Sequence, residues 1–206
     1  MPSYRSRICR MVIKYLVAAR LKPGTTLGDM RRVTERLAKL AWLPAGTDVE
    51  KIRLNGMSAR WVCSNKPRPD RAILYLHGGG YNICSPDTHR SLGADISMAS
   101  NAGVLLPDYR LAPEHLFPAA LEDAVSAYRW LLDNGFSCEN IAIAGDSAGG
   151  GLSVATATSL RDSGDPLPAA IACISPCLFR LVLMKYCSMI QIAWPTRPKK
   201  QVLIQP

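Results

Sequence analysis

Short apolar runs alternate with amphipathic segments along the chain after residue 70. The runs at 72–76, 104–107, 141–144 and 168–174 carry no charged side chain and have the length of buried strands. The segments at 87–101, 118–132 and 150–160 have the composition of helices that pack on a sheet. This β-α-β-α-β-α-β order predicts a parallel sheet with helices on both faces.

Two helices and a hairpin are predicted before residue 70. The first helix covers residues 5–20 and carries its basic side chains largely away from its apolar stripe. The second begins at the N-cap Thr26 and extends to about Trp42. Its inward positions are expected to be Leu27, Met30, Val33, Leu37 and Leu40. Strands at 49–54 and 57–63 flank Asn55-Gly56, a dipeptide typical of a tight hairpin turn.

The segment Gly145-Asp146-Ser147-Ala148-Gly149-Gly150 joins the strand at 141–144 to the helix that follows. It contains G-x-S-x-G, the nucleophile-elbow pattern. Gly145 and Gly149 leave space where a side chain would collide with the neighbouring strand or helix. The pattern predicts Ser147 at the tip of a strained turn, beside a helix N-terminus that favours negative charge. The alternative is a glycine-rich strand-to-helix turn without chemistry.

A second glycine-rich segment, His77-Gly78-Gly79-Gly80, follows the apolar run at 72–76. Without side chains, its backbone N–H groups can turn toward a carbonyl oxygen. We expect donors from Gly79 and Gly80, with Gly78 supporting the loop, to form an oxyanion hole with the N–H of Ala148. His77 is expected to hold this loop by hydrogen bonds rather than to act as a general base.

Three motifs together resemble the hormone-sensitive-lipase-like (GDXG) esterases: residues 77–80, Asp-Tyr-Arg-Leu-Ala-Pro-Glu at 108–114, and residues 145–150. The resemblance covers roughly residues 24–176 and implies an α/β-hydrolase fold with an N-terminal helical cap (1–46) and a core (47–176). It implies a serine carboxylesterase that acts on small-molecule esters with short to medium acyl chains. Asp146 would support the elbow, and Arg110 and Glu114 would be structural.

The sequence departs from this family after Ser147. Its last acidic residues are Asp162 and Asp165, and no histidine follows His115, so the catalytic Asp and His of the triad are not found. Residues 177–206 contain no Asp, Glu, His or Gly and are expected to form an atypical tail. We expect the family frame to be truncated or frameshifted near Cys177, with the last strands missing. The alternative function is a catalytically incompetent fragment, although His89 or His115 could substitute as the base.

The charge distribution and the cysteine content further limit the partners and the location that we expect for the protein. The net charge of +9 comes from the two ends, while residues 41–165 are mildly acidic, which argues against a nucleic-acid partner. The basic helix at 5–20 is expected to cover a groove of its own protein, or alternatively to lie on a membrane surface. Seven scattered cysteines suggest free thiols and a cytoplasmic location. We expect no metal or cofactor, and self-association through the exposed sheet edge.

Overall fold

The computed structural model describes residues 24–64 and 70–174. The predicted helix at 5–20 and the predicted tail at 177–206 lie outside these residues. The described residues form four α-helices: α1 (Leu27–Leu40), α2 (Pro86–Ser100), α3 (Ala119–Asp133) and α4 (Ala148–Asp162). They also form six strands: β1 (Thr47–Leu54), β2 (Met57–Ser64), β3 (Ala72–Leu76), β4 (Gly103–Pro107), β5 (Ile141–Asp146) and β6 (Ala170–Ile174).

The six strands form one sheet in the order β1-β2-β4-β3-β5-β6. The four strands after residue 70 are parallel, which confirms the prediction from the alternating pattern. The β1–β2 hairpin turns at Asn55-Gly56, where both residues have positive φ, and β2 pairs antiparallel with β4. The sheet is therefore mixed at one edge and parallel at its centre.

Helices cover both faces of the sheet because side chains of its central strands alternate between two apolar layers. In β3, Leu74 and Leu76 pack with residues of α3 and α4, whereas Ile73 and Tyr75 belong to the layer that includes Ala94 of α2. All of β3 is buried. This two-sided burial explains why the strand reads as a continuous apolar run rather than an alternating one.

The chain changes direction across the sheet at β3. It passes from β3 to β4 on one side and then returns to form β5 on the other side. The loops that follow β3 and β5 therefore lie next to each other at the carboxyl edge, the position where open α/β sheets form their sites. The glycine loop 77–80 and the elbow at Ser147 occupy these two loops.

Helix α1 packs against α2 rather than against the sheet. The hydroxyl of Thr26 accepts from the N–H of Asp29 in a capping box, as its predicted N-cap role requires. The Ser91 hydroxyl of α2 donates to the Trp42 carbonyl oxygen just beyond α1, at 2.8 Å. The prediction for Leu40 is wrong: it is 81% exposed, because the covered face in the last turn of α1 lies at Ala38, which is 6% exposed, and Leu40 is two positions (about 200°) further around the helix.

Strand β6 is the outermost strand of the described sheet on the side of β5. Residues 172–174 of β6 are exposed. Self-association through this edge stays a prediction. The four cysteines within the described ranges are free thiols: Cys63, Cys84, Cys138 and Cys173.

Candidate active site

Ser147 lies between β5 and α4 in a backbone conformation that L residues rarely adopt, with φ 50° and ψ −116°. Its N–H donates to the carbonyl oxygen of Ile174 in β6 at 2.9 Å. The start of α4 approaches β3 so closely that position 149 must be glycine, because a Cβ atom there would lie 1.9 Å from the Leu76 carbonyl oxygen. The strained turn predicted for the serine is therefore observed.

The peptide groups of Gly78 are held on both sides. Its N–H donates to Oδ1 of Asp146 at 2.9 Å, and its carbonyl oxygen lies 2.8 Å from Nδ1 of His77. A carbonyl oxygen can only accept, so Nδ1 carries the proton of the neutral imidazole and Nε2 does not. The His77 ring and the Asp146 carboxylate thus both bind the glycine loop, although Asp146 was expected to support the elbow.

The next peptide group is held by the loop itself. The carbonyl oxygen of Gly79 accepts from the N–H groups of Asn82 and Ile83, at 3.2 and 3.1 Å. Gly79 has φ 118°, and a Cβ there would lie 2.2 Å from the Ile83 carbonyl oxygen. Glycine is therefore required at this position by both backbone conformation and space.

The His77 ring is buried at 1% exposure and stacks on Tyr109 with ring centroids 4.3 Å apart. The Tyr109 hydroxyl donates to the His77 carbonyl oxygen at 2.6 Å. Nε2 of His77 has no hydrogen-bond partner among the described residues. Burial lowers the pKa of His77 to about 4, because a proton on Nε2 would place a charge out of reach of solvent.

One carboxylate oxygen of Asp146, Oδ1, contacts donors from three parts of the structure. In addition to the Gly78 N–H, Oδ1 accepts from the Tyr75 hydroxyl at 3.1 Å and lies 3.3 Å from Nε2 of His89 on α2. Burial by itself would raise the pKa of Asp146, but the contacts with His89, Tyr75 and Gly78 outweigh it and hold the pKa below its usual value. His89 and Asp146 are 57 positions apart in the chain, so no local spacing links the two side chains.

The residues expected to be structural form ion pairs around the site. Arg110 binds Glu122 and Asp123 of α3, with N–O distances of 2.8 and 2.9 Å. Glu114 binds Arg31 of α1 through both carboxylate oxygens, at 2.7 and 2.8 Å. Through these ion pairs, the segment 108–114 links the end of β4 to both α3 and α1.

The side chains considered for the triad have other contacts. Nδ1 of His89 lies 2.8 Å from the Thr88 hydroxyl, so both of its ring nitrogens are engaged. His115 is in an exposed loop. Asp162 and Asp165 form ion pairs with arginines, at 2.8 and 2.7 Å. Within residues 24–64 and 70–174, we therefore assign no side chain as the catalytic acid or base.

Over the described ranges, His, Cys, Asp and Glu side chains do not cluster in threes that could hold a metal ion. No described helix combines the length and apolar character needed to cross a bilayer.

Comparisons with known proteins support the same fold. A model of the α/β-hydrolase fold family Abhydrolase_3 matches residues 73–206, a range that continues through the expected atypical tail. The chain is 52% identical over 126 residues to an acetyl-hydrolase of Streptomyces hygroscopicus, and 45% identical over 142 residues to the carboxylesterase/phospholipase LipF of Mycobacterium tuberculosis. These matches cover 61% and 66% of this chain but only 42% and 38% of the relatives.

Solved structures give the same result. An esterase from the bacterial hormone-sensitive lipase family is 44% identical, with a TM-score of 0.77, and the match covers 85% of this chain and 59% of that one. EstE5, in a crystal soaked with p-nitrophenyl butyrate, is 48% identical with a TM-score of 0.74, over 81% and 57% of the two chains. The chain thus belongs to the α/β-hydrolase fold, among the hormone-sensitive-lipase-like esterases.

Proposed function

We propose that this chain carries the nucleophile and the oxyanion hole of a serine carboxylesterase. Ser147 Oγ attacks the ester carbonyl carbon, and the N–H groups of Gly79, Gly80 and Ala148 stabilise the oxyanion that forms. The observation that carries the proposal is the strained backbone of Ser147 at the N-terminus of α4, beside the glycine loop. Strain of this kind is retained where it serves a function.

The directions of two donors follow from the planar trans peptide, in which the C=O and the next N–H point to opposite sides. The Gly78 carbonyl points to His77, so the Gly79 N–H points away from that ring. The Gly79 carbonyl points into the turn, toward Asn82, so the Gly80 N–H points out of the turn. Both N–H groups are therefore fixed before a substrate binds, and each such donor is worth about 3 kcal/mol in the transition state.

The third donor comes from the start of α4. The first helical hydrogen bond runs from the Gly151 N–H to the Ser147 carbonyl oxygen, so the Ala148 N–H lies before the intrahelical ladder. The N–H of Ser147 itself is bound to Ile174 and is not offered to a substrate. The positive end of the α4 dipole adds to the stabilisation of an oxyanion at this point.

The substrate class in this proposal is an ester with a short to medium acyl chain. An acetyl-hydrolase among the relatives, and the p-nitrophenyl butyrate soaked into EstE5 crystals, support it. Rates for p-nitrophenyl acetate, butyrate and laurate would test it. We expect the laurate to react at least about tenfold more slowly than the butyrate; a preference for laurate would contradict this substrate class.

Two measurements test the role of Ser147. Fluorophosphonate should label the 206-residue chain at Ser147, whereas Ser147→Ala should not be labelled. Ser163→Ala is the matched control, because Ser163 lies at the exposed far end of α4. Equal rates of p-nitrophenyl butyrate hydrolysis by the wild type and Ser147→Ala, without labelling, would overturn the proposal and favour the incompetent-fragment alternative.

A further inference from the structure

Arg31 of α1 connects this helix to the loop that follows β3 and to the loop that follows β4. Its Nε donates to the Asn82 carbonyl oxygen at 2.7 Å, and Nη2 donates to the Ala112 carbonyl oxygen at 2.8 Å. The same guanidinium holds both oxygens of Glu114. The two loops also contact each other directly, because the Ala112 N–H donates to the Tyr81 carbonyl oxygen at 2.8 Å.

Only one residue, Asn82, stands between Arg31 and the Gly79 carbonyl, which orients one of the proposed oxyanion donors. Asn82 receives the Arg31 hydrogen bond on its carbonyl oxygen, and its own N–H holds the Gly79 carbonyl oxygen together with Ile83. The Gly79 carbonyl sets the direction of the Gly80 N–H through the shared peptide plane. A displacement of Asn82 therefore rotates the peptide that carries the Gly80 donor.

The ion pair alone does not explain this arrangement. The side chains of Arg31 and Glu114 are 30% and 54% exposed, and exposed ion pairs contribute little to folding stability. The hydrogen bond with Arg31 lowers the pKa of Glu114 to about 2, so the carboxylate is charged at any ordinary pH. The planar guanidinium can donate to the carboxylate and to two carbonyl oxygens at once, whereas a lysine ammonium cannot reproduce this planar arrangement of donors.

We propose that Arg31 is a positioning residue for the oxyanion hole, so that α1 and the turn at 79–83 move as one unit. This inference rests on the proposed function of Ser147 and the glycine loop. Its chemical consequence is specific. Loss of the Arg31 contacts weakens stabilisation of the transition state, because the Gly80 N–H is no longer held in place, while binding of the ground-state ester changes little.

The test compares Arg31→Lys with Arg129→Lys. Arg129 makes an equivalent two-nitrogen contact with Asp165, beyond the C-terminus of α4, a helix about 22 Å long whose N-terminus adjoins Ser147. The measurements are the rate of fluorophosphonate labelling at Ser147, kcat and KM for p-nitrophenyl butyrate, and thermal unfolding. We expect Arg31→Lys to lower the labelling rate and kcat by about tenfold or more, with KM within about twofold.

Glu114→Gln is the second variant, since it removes the ion pair but keeps an oxygen acceptor and the Arg31–Asn82 contact. It should lower kcat less than Arg31→Lys, and Arg129→Lys should leave kcat within about twofold. If the wild type is labelled and Arg31→Lys matches it, or if only KM changes, the positioning role of Arg31 is overturned. If the wild type is not labelled, the proposed function itself fails and this inference with it.

Discussion

The buried imidazole of His77 should make the stability of the fold depend on pH. In the folded chain its pKa is about 4, because burial opposes a charge and Nε2 has no acceptor among the described residues. In the unfolded chain the ring is solvated and takes a proton near pH 6.5. Between these values the unfolded state binds more protons than the folded state, so stability falls as the pH falls.

The magnitude follows from the two pKa values of His77. At pH 6 the unfolded state gains about 0.8 kcal/mol relative to the folded state, and at pH 5 it gains about 2 kcal/mol. The full difference, reached below pH 4, is about 3 kcal/mol. This window lies above the range in which Asp146 loses its charge, since the pKa of that carboxyl is held below its usual value.

Urea unfolding of the wild type and His77→Asn between pH 8 and pH 5 measures this effect. The Asn amide can replace the Nδ1 donor to the Gly78 carbonyl oxygen but does not titrate. We expect the wild type to lose about 2 kcal/mol more than His77→Asn over this range. His115→Asn is the control, because His115 is exposed, and its pH dependence should match the wild type. Parallel curves for the wild type and His77→Asn would refute the reasoning.

Three further changes, with one control, test close packing, helix capping and an ion pair, each by urea unfolding at pH 7.5. Gly149→Ala should cost more than about 3 kcal/mol, because its Cβ would lie 1.9 Å from a backbone oxygen of β3, whereas Gly164→Ala, in open space at φ 73°, should cost about 1 kcal/mol. Thr26→Ala should cost about 1 kcal/mol through loss of the capping box of α1. Asp87→Ala should cost about 3 kcal/mol, because it leaves the buried guanidinium of Arg60 without its carboxylate. Equal costs for the two glycines, or unchanged midpoints for Thr26→Ala and Asp87→Ala, would contradict these assignments.

The positions of the helices and strands could be predicted from the sequence because their signals are local. The helix predicted from the N-cap Thr26 to about Trp42 is observed at Leu27–Leu40, with Thr26 as its N-cap. The apolar run at 72–76 is β3 at the same bounds. The exposure of Leu40 could not be predicted, since the helical period places it on the apolar stripe, whereas packing in the folded chain covers Ala38 in that turn instead.

The residues of the candidate site also fall into those that local sequence signals predict and those that they do not. The elbow and the glycine loop are contiguous motifs, so their residues could be named from the sequence. The side chains that orient them are not contiguous: His89 contacts Asp146 across 57 positions, and Arg31 contacts Asn82 across 51. No local spacing encodes such pairs, because they form only after α1 and α2 have packed beside the carboxyl edge of the sheet.

The two carbonyls of the glycine loop are held by different kinds of group, and this difference has a consequence for catalysis. The Gly79 carbonyl is held by backbone N–H groups, which do not titrate, whereas the Gly78 carbonyl is held by the His77 ring. Both protonation states of that ring keep a proton on Nδ1, so the Gly78 contact survives acidification as long as the chain stays folded. Protonation of His77 therefore leaves the direction of the Gly78 carbonyl, and with it that of the Gly79 N–H, unchanged. A loss of esterase activity near pH 6 that precedes unfolding would have to come from a group other than His77.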